Sequence, residues 1–122
     1  MKTGIDTVEV LRIKKLMRSD KFFNTCFTDS EIKYFMTKPI KARAQSVSGH
    51  FAVKEAVAKA LGTGLMREGV GLKDIEIVHN ESGTPSVVLS SGAKEKLKAI
   101  GTSIEISITH TNKVATAICN IL

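Results

Sequence analysis

The chain has 122 residues, enough for one domain over residues 1–122 that buries a core without disulfide or metal staples. Hydrophobic residues make up 43% of it, yet no apolar run approaches the length of a bilayer span, which leaves no candidate for a membrane-spanning helix. The formal net charge of +6 asks for an acidic partner; five Phe, one Tyr and no Trp, without basic–aromatic alternation, point away from nucleic acid and toward an acidic protein or a polyphosphate.

Residues 3–8 read as a short strand, and Asp6 near its end is locally disfavoured there. Either it serves, with Glu9, as a negative charge before the next helix, or it has a chemical use. Residues 9–19 have helical periodicity, with Val10, Ile13, Leu16 and Met17 on one stripe and Arg12, Lys14, Lys15 and Arg18 on the remaining arc. Such a basic arc suits a solvated face or the docking of an acidic helix, and no acid after Glu9 compensates it. Phe22, Phe23 and Phe27 fall in an expected connecting segment that packs beneath this helix. Cys26 and Cys119 are too few and too distant for a disulfide framework or zinc site, and read as small core hydrophobes in a reducing cytoplasm. No signal or targeting pattern is expected at the N-terminus.

Thr28 and Glu31 form a capping box, predicting a helix through Phe35 or Met36 that stops before Pro39. A long helix follows, from about 39–41 to Leu61, and Gly49 inside it implies close packing or a kink. After a loop over 66–71, strands are expected over 73–79 and 86–89 about a turn at 80–85. A helix over 91–100 has Ser91 as a possible cap and Gly101 as its stop, and two strands, 103–109 and 114–121, flank a turn at 110–113. His79, at a strand end, reads as a surface residue; His110 at a hairpin corner reads by default as a turn residue, and His50 as a packed one.

The long helix carries the densest pattern. Ala52, Ala56, Ala60 and Leu61 favour helix strongly, Gly62 and Gly64 end it, and Val53, Ala56, Val57, Ala60 and Leu61 make its core face. Glu55 and Lys59 lie four residues apart on another side, beside Phe51, Ala58 and Gly62. A surface ion pair there contributes a few tenths of a kcal/mol. A carboxylate, an ammonium and a Gly-Thr-Gly exit also suit a metal bound to a phosphorylated ligand.

The pattern from Phe51 through Lys54-Glu55-Ala56 and Lys59-Ala60-Leu61 to Gly64 resembles the signature of holo-acyl-carrier-protein synthases, the short bacterial 4'-phosphopantetheinyl transferases. Four further stretches match in order: Gly4, Asp6, Glu9 and Arg12-Ile13; Phe27-Thr28 with Glu31; Asp74-Ile75-Glu76 before the Gly83-x-Pro85 turn; and residues 106–111. The resemblance implies transfer of 4'-phosphopantetheine from coenzyme A to a serine of an apo-acyl carrier protein, with magnesium, releasing 3',5'-ADP. It implies Asp6 and Glu55 as magnesium ligands and Lys59 as a charge facing the transferred phosphate. The serine's proton would go to Glu55 or to a metal-bound water. Coenzyme A contacts would fall on Lys41, His50, Lys59, Gly62, the Gly83 and Pro85 turn, and Ser107, His110 and Thr111. Arg12, Lys15 and Arg18 would meet the carrier protein, and the assembly would be a homotrimer with coenzyme A between subunits. Several residues depart from the family pattern. His50 stands where an Arg is usual, Ser82-Gly83-Thr84-Pro85 replaces Asn-Gly-Lys-Pro, Gln45 replaces a frequent Glu, and only Gly4 of two N-terminal glycines is kept.

The expected fold is α+β, an antiparallel sheet packed on the long helix. Two competing readings are a non-catalytic module that holds a carrier protein on the basic helix over 9–19, and, on charge alone, an RNA-binding domain.

Overall fold

A computed structural model describes residues 1–63 and 69–122; residues 64–68, including Gly64 and part of the loop expected over 66–71, lie outside the described residues. The element order is β1 (Lys2–Glu9), α1 (Val10–Leu16), α2 (Asp20–Cys26), α3 (Asp29–Met36), α4 (Ile40–Ala60), a 3-10 turn (Leu72–Asp74), β2 (Ile75–His79), β3 (Pro85–Leu89), α5 (Ser91–Ile100), β4 (Ile104–His110) and β5 (Val114–Ile121). The fold is α+β, and among the described residues the strands pair antiparallel in two sheets, one of order β1-β5-β4 and the other β2-β3.

The larger sheet packs on α4. Val8 of β1, Ala115, Ala117, Cys119 and Ile121 of β5, and the half-buried Ile104, Ile106 and Ile108 of β4 occupy its inner face, as period-two alternation requires. They meet Ala52, Val53, Ala56, Val57 and Ala60, all buried on α4. Small residues dominate this contact, so strand and helix backbones come close. A Cβ on Gly49 would stand 3.2 Å from Ile108 Cγ2, so close packing accounts for this glycine within one continuous helix. Cys26 and Cys119 are free and buried, and burial raises both thiols, Cys119 to about 11, which keeps them unreactive.

The expectations for the N-terminal third need correction. The segment around Phe22 and Phe23 is helical, as α2, and not a connection. Phe27 at its end stands perpendicular to Phe22 and Phe35, at centroid distances of 5.7 and 5.0 Å, and this aromatic packing supports a helix whose own pattern is weak. Helix α1 is shorter than expected and ends at Leu16, which is exposed, so its buried stripe reduces to Val10 and Ile13 with Met17 half-buried. The Thr28–Glu31 capping box forms in full. At α5 the N-cap position is Ser90, while Ser91 is its first residue, at a φ of 49°.

Candidate active site

Gly4 sets the position of the first candidate carboxylate, Asp6. A Cβ there would overlap the Ala56 carbonyl oxygen and stand 2.8 Å from the Ala60 amide nitrogen, so only glycine lets β1 lie directly on α4. Asp6 is two residues further on and therefore on the same face of the strand. Its Oδ1 accepts a hydrogen bond from Lys59 Nζ at 3.2 Å, and the same ammonium donates to the Ile5 carbonyl at 3.0 Å. Lys59 is thus engaged across to β1, in place of a pairing along its own helix.

Glu55 completes this group. Burial, and secondly the neighbouring Asp6, push its carboxyl above the ordinary carboxylate range, while Lys59 and Arg12 pull it back. Two carboxylates held within repulsive reach, with two cations beside them, are ready for a further positive charge. Among the described residues there is no cluster of three metal-ligating side chains. The donors are therefore two hard carboxylates, a set that suits Mg²⁺ when ligand oxygens and waters fill the remaining positions. Arg12 brings the exposed basic side of α1 to this group, and Arg12 and Lys15 line a shallow groove with Glu9, Leu11 and Leu16. Lys14 and Arg18 are exposed as well, Arg18 beyond the end of α1.

A second region lies elsewhere on the same helix. Ser46, Gly49 and His50 of α4, Tyr34 and Lys38, Gly83 and Pro85 of the β2–β3 turn, and His110 line a cavity of about 350 Å³. At 1.5 Å rise and 100° per residue, Glu55 is about 7.5 Å along the helix axis from His50 and about 140° around it, and neither it nor Asp6 nor Lys59 lines this cavity. The chain therefore brings His50, Gly83, Pro85 and His110 together, but does not bring them to Asp6, Glu55 and Lys59. Lys41 lines a third groove, with Lys14, Pro39, Ile40 and Ala44. Ser107 is exposed on the outer face of β4. The Thr111 hydroxyl accepts from the Lys113 and Val114 amides and so shapes the β4–β5 turn, to which Gln45 is tied by a 2.9 Å hydrogen bond to Asn112 Oδ1. Gly62, at a φ of 83°, ends α4 with its amide donating to the Lys59 carbonyl.

Two features escaped the sequence reading. His79 is not a bystander on the surface: its ring stacks on Tyr34 at 4.1 Å and 5°, and its Nε2 lies 3.1 Å from that of His50. Lys54, within the motif, is wholly buried and donates to Glu31 Oε1 at 2.8 Å and to the Leu72 and Ile75 carbonyls at 2.9 and 2.5 Å. The available signal was a lysine set among core-face residues of a helix, a position that requires an internal partner.

The model of the 4'-phosphopantetheinyl transferase superfamily matches residues 2–119. The chain belongs to this superfamily. A holo-[acyl-carrier-protein] synthase of Clostridium botulinum (strain Eklund 17B / Type B) is 46% identical over 115 residues, covering 93% of this chain and 90% of that protein. The solved holo-[acyl-carrier-protein] synthase of Helicobacter pylori, in complex with coenzyme A, superposes with a TM-score of 0.83 at 32% identity, covering 98% of this chain and 99% of that one. That of Bacillus anthracis, in complex with CoA (3',5'-ADP), gives 0.81 at 31% identity over 97% and 92% of the two chains. Glu55 and Lys59 stand on the Phe51–Gly64 stretch, and Asp6 on the Gly4–Ile13 stretch, that carried the resemblance.

Proposed function

We propose that this chain transfers the 4'-phosphopantetheine of coenzyme A to a serine of an apo-acyl carrier protein, releasing 3',5'-ADP. The observation that carries the reading is the Asp6–Glu55 pair, held with Lys59 and Arg12, on two stretches that resemble the synthase pattern. Asp6 and Glu55 would hold the magnesium ion, which when bound supplies Lewis-acid polarisation of the pyrophosphate and offsets its charge. Lys59 places an ammonium where negative charge grows on the phosphoryl oxygens. The serine oxygen forms a bond to phosphorus as the bond to the leaving 3',5'-ADP breaks. Glu55, which lies among these groups, is a candidate acceptor of the serine proton. Arg12, Lys15 and Arg18 offer the acidic carrier protein an exposed basic surface next to these groups.

The active assembly is a homotrimer in this reading, and coenzyme A bridges two subunits. The separation of the His50–Gly83–Pro85–His110 cavity from the carboxylates within one chain favours this. So does the outer face of the larger sheet, whose central rows pair Ile5 with Ile118 and Ser107, and Thr7 with Thr116 and Thr109. These rows carry no charge, and Ile5 is 57% exposed. The protein acts as a single domain in the cytoplasm, where the two buried free thiols fit a reducing compartment; no helix among the described residues is long and apolar enough to cross a membrane.

Intact-mass analysis of apo-carrier proteins incubated with this protein, coenzyme A and Mg²⁺ tests the proposal. A carrier protein heavier by one phosphopantetheine is expected, and no mass increase with any cognate carrier at ample enzyme would refute it. Sedimentation of the purified protein tests the trimer, which a monomer at micromolar concentration would contradict.

A further inference from the structure

We propose that His79, held as an imidazolium by His50, is the anion-binding cation of the cavity between α4 and the β2–β3 turn. The ligand meant is coenzyme A, so the proposal rests on the transferase reading. It also assigns the positive charge that position 50, a histidine here, does not carry.

The hydrogen-bond roles follow from atoms whose chemistry is fixed. His50 is 3% exposed, and its Nδ1 lies 2.8 Å from the Ser46 carbonyl oxygen, which can only accept. Nδ1 therefore bears the proton. Burial pushes the His50 pKa down to about 3, so this ring is neutral and its Nε2 presents a lone pair. That lone pair faces His79 Nε2 at 3.1 Å. The other nitrogen of His79, Nδ1, faces the Gly83 carbonyl oxygen at 3.3 Å, again a pure acceptor. Either neutral tautomer of His79 sets one lone pair against another. The doubly protonated ring donates at both ends.

The Tyr34 ring, stacked on His79, stabilises a cation over its face. The remaining charges nearby are mostly of the same sign. Lys38 Nζ lies 4.9 Å from the Tyr34 centroid and His110 lines the same cavity; the charge of Lys54, buried on α4, is offset by Glu31 at 2.8 Å, and Glu81 is carried by the hairpin turn. A cavity with this balance favours a polyanion. Neutral His50 touches no ligand in this scheme and acts as a positioning residue for the charged ring.

Two measurements test the assignment. Imidazole ¹⁵N shifts of the ligand-free protein at about pH 7, above the ordinary histidine pKa of about 6.5, should show both nitrogens of His79 predominantly protonated and only Nδ1 of His50. A neutral His79 there would overturn the proposal whatever coenzyme A does. Titration calorimetry with coenzyme A, from about pH 5.5 to 8.5, should show affinity falling about ten-fold more in the wild type than in His79→Lys, which keeps its charge. Titration of the ligand's own phosphate is common to both proteins and cancels in the ratio. His50→Phe, which keeps a ring and removes the acceptor, should move the fall to lower pH. Equal slopes in wild type and His79→Lys, with both binding, would refute the role of His79 alone. Absence of coenzyme A binding at every pH would refute the transferase reading and the ligand assigned here with it.

Discussion

The buried Lys54–Glu31 pair offers the sharpest energetic test of how α4 is held. Both side chains are 0% exposed, with Nζ 2.8 Å from Oε1. Burial lowers the Lys54 pKa, and the charge and hydrogen bond of Glu31 act against that shift. Glu31→Gln keeps the side-chain length and an oxygen that can still accept the Thr28 amide of the capping box. It removes the negative charge, and it turns an NH₂ toward the Ile77 amide that now donates to Oε2 at 3.3 Å. Removing one partner of a buried pair costs about 3 kcal/mol or more. An unfolding entropy of about 2.1 cal/mol/K per residue converts about 3 kcal/mol into a fall in Tm of about 12 °C for a chain of this length.

The assay is a double-mutant cycle in urea at fixed protomer concentration, with Glu31→Gln, Lys54→Met and the double variant. Each single variant should lose about 3 kcal/mol. The double variant should lose clearly less than their sum, because neither charge is then left alone in the core. Single losses below about 0.5 kcal/mol, the range of surface substitutions, would refute the argument, as would strict additivity.

Glu55→Gln should cut turnover at least about a hundredfold while raising Tm, measured by a mass-shift assay and by thermal scanning. The sign follows from a folded-state pKa raised above 4.5. Relative stability from this group is full below that value and is lost as pH rises through the folded pKa, so the stabilisation by Gln should vanish in acid. Gly4→Ala should cost about 3 kcal/mol in urea and abolish activity, since its methyl meets helix backbone and not a yielding side chain. Lys15→Glu, on the exposed basic groove and away from Glu55, should raise KM for the carrier protein about ten-fold in steady-state kinetics, with kcat for saturating carrier changed far less and the difference shrinking as salt rises.

Much of the fold was legible because periodicity reports it directly. The alanine-rich 21-residue α4, the Thr28 capping box and the alternating β5 all occupy the positions their patterns predict. α2 was not legible, because Asp20–Cys26 has no helical stripe and its support comes from the packing of Phe23 and its C-cap Phe27 on Phe35 of α3. At the site, Asp6 and Glu55 were legible through the resemblance, and their coupling follows from a glycine whose role is visible only once β1 lies on α4. His79 was misjudged for a related reason. A strand-end histidine looks solvated locally, whereas its partners Tyr34 and His50 lie 45 and 29 residues away.

Lys54 and Glu55 are adjacent, and their roles are opposite because successive helical residues point about 100° apart. Lys54 turns inward and fastens α4 to the start of α3 through Glu31 and to the entry of β2 through the Leu72 and Ile75 carbonyls. On another side, Gly4 lets β1 lie against the Ala56–Ala60 turn of the helix. A helix free to rotate about its axis would change the separation of Asp6 from Glu55 and break the Lys59 bonds to Ile5 and Asp6. Held from both sides, it cannot. The burial of Glu55, and the smaller repulsion from Asp6, that raise its proton affinity are thus sustained by interactions elsewhere on the helix, and the buried lysine of the motif would act on the proposed chemistry only through this geometry.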